Sequence, residues 1–96
     1  MPGRRRCRRV GCQPSFTSFE PATAGSSVPE EAILSVDEFE AVRLKDLEGL
    51  DQNECAKKMD ISQPTFHRLV VSARRKIADA LTHGKTIKIE GGHYRL

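Results

Sequence analysis

The chain has 96 residues, of which 38% are hydrophobic, 30% charged and 5% aromatic, and it contains no tryptophan. That length suits one domain with one modest core and leaves no room for a barrel enzyme or a deep cleft between two domains. The net charge of +3 is unevenly spread: residues 1–10 hold five bases and no acid, residues 11–60 eleven acids against four bases, and residues 61–96 seven bases against two acids.

Such segregation points to a polyanion touched by both ends of the chain. No apolar run is long enough to span a bilayer. The arginine-rich start also lacks the apolar stretch of a secretory signal, so a cytoplasmic protein without membrane association is expected. Cys7, Cys12 and Cys55 are odd in number, which argues for free thiols over a disulfide framework.

In chain order, residues 1–34 begin with a basic arm of Arg4, Arg5, Arg6, Arg8 and Arg9. Pro14, Pro21, Gly25, Ser26, Ser27 and Pro29 then punctuate the segment, which reads as irregular and partly disordered. Within it, Phe16–Phe19 is a candidate short strand.

Residues 35–83 read as three consecutive helices. Ser35 with Glu38 fits a capping box, in which a hydroxyl and a carboxylate satisfy each other's orphan backbone donors. Val36, Phe39, Leu47 and Leu50 then share one side at the helical period. Arg43 falls inside that stripe, so it must snorkel or pair with a carboxylate such as Glu40. Gly49 is a natural stop. Asp51 with Glu54 makes a second capping box, opening a short helix with Cys55, Ala56 and Met59 on its apolar side.

Asp60-Ile61-Ser62 forms a tight connection. Ser62 is a suitable N-cap for the third helix, with Pro64 in the first turn, where a missing N–H costs nothing. Phe66, Leu69, Val70, Ala73, Ile77 and Leu81 follow at helical spacing, the cleanest amphipathic pattern in the chain. His83 and Gly84 close the helix. Residues 84–96 change period. Thr86-Ile87-Lys88-Ile89-Glu90 alternates as a strand does, Gly91-Gly92 breaks it, and the Phe16–Phe19 segment is its expected partner in a two-stranded ribbon.

A short helix, a tight turn and a longer helix with a basic outer face form the helix-turn-helix pattern, which makes residues 35–83 a candidate DNA-binding domain. The major groove admits one helix, which must present hydrogen-bonding side chains outward and an apolar side to its supports. Phe66, Leu69, Val70, Ala73 and Ile77 supply the apolar side. Gln63, His67, Arg68, Val71 and Arg75 look outward. Gln reads adenine and Arg reads guanine or holds phosphate. Arg74, Arg75 and Lys76 lie where such a helix leaves the groove and meets backbone.

The run LSVDEFEAVRLKDLEGLDQNECAKKMDISQPTFHRLVVSARRKIADAL, residues 34–81, resembles region 4 of bacterial sigma factors. With MPGRRRCRRV at the start and GKTIKIEGGHYRL at the close, nearly the whole chain resembles the small prokaryotic family UPF0251, or DUF134. The resemblance implies a mainly α, three-helix, sigma region 4-like helix-turn-helix with a small β ribbon from the two flanks. It implies double-stranded DNA as partner and a role in transcription. In sigma region 4 the opening of the recognition helix reads the promoter, which places Gln63, Thr65, His67 and Arg68 at the bases. Pro64, with no N–H to donate, and His67, where a basic residue is usual, depart from the sigma pattern. The other sigma regions have no counterpart, so promoter melting is not expected. Phosphates or the adjacent minor groove fall to Arg4, Arg5, Arg6, Arg8, Arg9, Ser62, Arg74, Arg75, Lys76 and Lys85. One such module buries limited surface, so a homodimer or partner protein is expected to complete a site.

Catalysis is not expected. There is no phosphate loop, HExxH or Ser-His-Asp signature, and Cys55 has no base partner. No cofactor is expected. Two alternatives coexist with DNA binding. Cys7 and Cys12 flank Arg8 and Arg9, which favours thiolate and suits a metal or redox sensor, although no second Cys or His pair follows at zinc-site spacing. The acidic middle could contact RNA polymerase, as sigma region 4 does.

Overall fold

The computed structural model describes residues 7–22 and 29–96. Arg4, Arg5, Arg6, Gly25, Ser26 and Ser27, which belong to the basic arm and the irregular segment expected from sequence, lie outside the described residues.

Three helices among the described residues carry the fold: α1 (Val36–Val42), α2 (Gln52–Met59) and α3 (Gln63–His83). Each starts where its capping chemistry dictates. Ser35 and Glu38 form the first capping box, and Asp51 and Glu54 the second. The Ser62 hydroxyl accepts from the Thr65 N–H, and Pro64 sits in the opening turn of α3. Gly84 ends α3 at φ 66°, where a glycine carries no Cβ penalty.

The first helix departs from the sequence expectation at its end. Arg43–Leu47 is a π-helical turn, with the Glu48 N–H bonded to the Arg43 carbonyl. Bonding from i to i+5 inserts a residue and rotates the chain beyond it. Leu44 is buried at helical spacing from Glu40 and Ala41, while Leu47, expected on the apolar stripe but beyond the inserted residue, is 78% exposed. Leu81 likewise leaves the stripe of α3. It is exposed beside the buried Ala80, at an open cleft that it lines with Phe19 and Ile87. Arg43 pairs with Glu40 as expected, at 2.8 Å from both Nε and Nη2.

Five strands among the described residues, more than expected, flank the helices: β1 (Arg8–Arg9), β2 (Ser18–Phe19), β3 (Glu31–Leu34), β4 (Thr86–Ile89) and β5 (Tyr94–Arg95). The expected β2–β4 pairing is present, antiparallel, with Phe19 opposite Ile87. The expected two-stranded ribbon is a three-stranded sheet, ordered β2-β4-β3, because β3 adds parallel to the other edge of β4. Leu34 and Ile89, opposite one another in that pairing, are both buried against the helices. That shared burial is what a two-stranded ribbon could not supply. Separately, β1 pairs in parallel with β5, joining the N-terminal segment to the C-terminal one.

Two apolar clusters hold these elements. Ala41, Leu44, Cys55, Ala56, Met59, Phe66 and Val70 join α1, α2 and the first half of α3. Val10, Leu34, Val36, Ala73 and Ile89 join the flanking strands to α1 and the middle of α3. Val42 packs on both clusters, so the sheet and the three helices are one core. Phe66 and Met59 are fully buried, each stabilising the fold by roughly 1.5–3 kcal/mol.

Candidate nucleic-acid interface

The α2–α3 turn is short because Asp60 adopts a left-handed conformation, φ 59° and ψ 46°, which Asp tolerates better than most residues. The Ile61 N–H returns to the Ala56 carbonyl, and Ser62 opens the next helix. The turn brings the beginnings of α2 and α3 together. Gln52 Nε2 donates to the Gln63 carbonyl at 3.4 Å, and Gln63 Nε2 donates to Asn53 Oδ1 at 3.1 Å.

Phe66, Val70 and Ala73 fasten α3 to the core along one side. The opposite side leaves Gln63, His67, Arg68, Val71 and Arg75 exposed. Thr65 is half-buried. Its hydroxyl accepts from Ser62 Oγ at 2.9 Å and from Arg68 Nη2 at 3.3 Å. The four expected base readers, Gln63, Thr65, His67 and Arg68, thus share the first turns of α3, with Arg68 steadied by Thr65.

The expected phosphate contacts divide into two groups. Arg74 clamps Asp46 of the π turn, with Nε at 3.0 Å and Nη2 at 2.5 Å. Lys76 pairs with Glu38 at 2.8 Å, and Lys85 with Asp79 at 2.8 Å and Glu30 at 3.7 Å. Arg8 pairs with the buried Asp37 at 3.4 Å. These cations tie the protein to itself. Arg9, Arg68 and Arg75 are exposed, and none forms an ion pair among the described residues. Ser62 spends its hydroxyl on the helix cap.

Part of the acidic middle proves to be interior. Asp37, Glu38 and Glu40 are buried. Burial alone would raise the Glu38 pKa. Hydrogen bonds from Lys76, Ser72 Oγ at 2.5 Å and the Ser35 N–H outweigh it and hold the carboxyl below its ordinary value. Glu40 accepts from Arg43 and from the Gly11 N–H at 2.9 Å, fastening the N-terminal segment to α1. The Arg74 hydrogen bonds hold Asp46 low, and Asp46 in turn raises Arg74. From sequence, the acidic block is expected to face away from DNA or toward a protein. The counter-charges of Asp37 and Glu38 come from the N-terminal segment and α3, far away along the chain, whereas that of Glu40 is Arg43, three residues on.

Cys7 and Cys12 are exposed thiols. Cys55 is buried, and burial pushes its thiol pKa up. No cluster of three His, Cys, Asp or Glu side chains able to hold a metal ion occurs among the described residues. No helix among them is long and apolar enough to cross a membrane.

Sequence reasoning missed Gln52 and Asn53, which stand beside Gln63. The available signal was two amide residues directly after the Asp51 cap, with only a tight turn between α2 and α3. It also missed Arg95, whose Nη2 lies 3.0 Å from Asp60 at that turn. A strand of two residues leaves no periodicity to read.

A family model described as "Protein of unknown function DUF134" matches residues 1–96. A UPF0251 protein of Thermoanaerobacter pseudethanolicus is 53% identical over 96 residues, all of this chain and 81% of that protein. One from Pelotomaculum thermopropionicum is 50% identical over 96 residues, covering 100% of this chain and 73% of its own length. One from Caldicellulosiruptor saccharolyticus is 55% identical over 94 residues, 98% of this chain and 66% of that protein. No solved structure matches the chain.

Proposed function

We propose that this chain, which belongs to the DUF134 (UPF0251) family, binds double-stranded DNA sequence-specifically and regulates transcription. One observation carries the reading. The opening turns of α3 present Gln63, His67 and Arg68 on an exposed face while Phe66 and Val70 lock the opposite face into the core. A helix held in that way presents hydrogen-bonding groups at fixed spacing, which is what reading base edges in the major groove requires. Gln63 and Arg68 make base contacts, with Thr65 and His67 beside them. Arg9 and Arg75, together with Arg4, Arg5 and Arg6 of the arm, contact phosphate or the adjacent minor groove. A single module of this size needs a second copy or a partner protein for tight specific binding.

Selection of duplexes from a random pool tests this reading, followed by titration of Arg68→Ala. The expected outcome is an enriched sequence whose affinity falls by about 1–3 kcal/mol on Arg68→Ala, with random duplex little affected. If no sequence is enriched, the proposal fails. Equal loss on both duplexes would remove Arg68 from the base readers.

A further inference from the structure

We propose that the β1–β5 ribbon is a second DNA-backbone contact, in which Arg9 and Arg95, with Lys57 across a neighbouring cleft, bind phosphates beside the groove that α3 enters. This rests on the DNA-binding reading above and names a part of the interface that the helix-turn-helix itself does not supply.

The ribbon sets the N-terminal segment beside the C-terminal one, with Arg9 directly opposite Arg95. Its position is fixed from below by Val10, which is 1% exposed, and by Tyr94, packed against the same cluster. Arg95 reaches Asp60 in the α2–α3 turn, so the ribbon stands next to the start of α3. An open cleft of about 570 Å³ runs between them, lined by Arg8, Lys57, Asp60, Ser62 and Thr65 among others.

Like charges directly opposite one another on paired strands destabilise the pairing. Asp60 offsets Arg95. Arg9 is exposed and forms no ion pair among the described residues, and the same is true of Lys57. An external anion would relieve the Arg9–Arg95 repulsion, so the ribbon gains from a ligand what it lacks alone. Duplex DNA offers regularly spaced phosphates along the edge of the groove that receives α3.

The ribbon also supplies what α3 does not. Half or more of the hydrogen bonds in a protein–DNA interface usually go to phosphate and sugar. Arg74 and Lys76 of α3, and Lys85 just beyond it, are engaged within the protein, which leaves Arg75 as the arginine in the C-terminal half of α3 without an ion pair among the described residues. The ribbon and Lys57 border its N-terminal half, where the base readers are.

The test is duplex affinity as a function of salt for Arg9→Gln, Lys57→Gln and the double variant. Both side chains are exposed, so the fold should persist, and thermal unfolding checks that it does. Arg95→Gln serves as a third variant that also cuts the link to Asp60. The slope of log affinity against log salt should become shallower by about 0.9 for each phosphate that the protein no longer neutralises, equally on selected and random duplex. Unchanged slopes in variants that remain folded, with Arg68→Ala still losing specific binding, would overturn the ribbon contact and leave the DNA-binding reading standing. If the unaltered protein shows no salt-dependent duplex binding, both fall.

Discussion

Arg74 of α3 and Asp46 of the π-helical turn form a bidentate pair, with Nε and Nη2 each on a different carboxylate oxygen. The two residues are 28 positions apart in sequence. The pair therefore fixes the long helix α3 against the turn that precedes α2, and it engages an expected phosphate contact with a carboxylate of the protein itself. Both side chains are more than a third exposed, so the pair is worth at most about 1 kcal/mol. Arg74→Ala should lower stability by no more than that and leave the salt slope of the proposed DNA binding unchanged. A slope that becomes shallower by a full unit would return Arg74 to the phosphate contacts. A double-mutant cycle with Asp46→Ala measures the coupling directly.

Glu38 links the start of α1 to α3 through Ser35, Ser72 and Lys76. Its carboxyl is held below the ordinary value of 4.5. The stability this gives is therefore present above that value and is lost as pH falls through the lower, folded-state pKa. Glu38→Gln should lower stability at pH 7 by about 1–3 kcal/mol, a range reduced from the fully buried case because Lys76 is two-fifths exposed. The difference between the two proteins should narrow on acidification. Chemical denaturation at pH 7 and pH 3.5 checks it; a difference that stays constant would mean that Glu38 acts by packing alone.

Gly92 stands at φ 101°, and a Cβ there would lie 2.5 Å from Asp37 Oδ1 and 3.1 Å from the Ser35 Cβ. Asp37 is buried and has little room to yield. Gly92→Ala combines backbone strain with a collision, and should cost about 1–3 kcal/mol. Gly91→Ala is the control: its φ of 77° brings strain, but a Cβ there meets nothing within 4 Å. Equal losses in the two variants would show that the collision with Asp37 is relieved without cost.

Thiol labelling separates the three cysteines. Cys7 and Cys12 are exposed, whereas Cys55 is buried with its pKa pushed up. Two equivalents should react in the native protein and a third only on unfolding. Added zinc should alter neither the count nor the unfolding temperature. A zinc-dependent loss of the two fast equivalents would instead favour the metal-sensor alternative.

The elements the sequence determines alone are those governed by local chemistry. Ser35/Glu38, Asp51/Glu54 and Ser62/Pro64 place the three helix starts, because a cap is an interaction among residues within four positions of each other. The alternation of Thr86–Ile89 marks β4 for the same reason, and the spacing from Phe66 to Ala73 marks which side of α3 is buried. The face left over, with Gln63, His67 and Arg68, comes from that spacing too. Tertiary structure decided what depends on partners far away in sequence. The π turn moved Leu47 out of the core. A parallel partner 55 positions away turned Glu31–Leu34 into a strand, with Leu34 opposite Ile89. Pairing with Asp46, Glu38 and Asp79 engaged Arg74, Lys76 and Lys85 within the protein, and the β1–β5 pairing set Arg9 beside Arg95. Sequence can show where positive charge lies along the chain. Which charges are left unpaired depends on which carboxylates the fold brings within a few ångströms, because ion pairing is short-ranged in space and indifferent to separation along the chain.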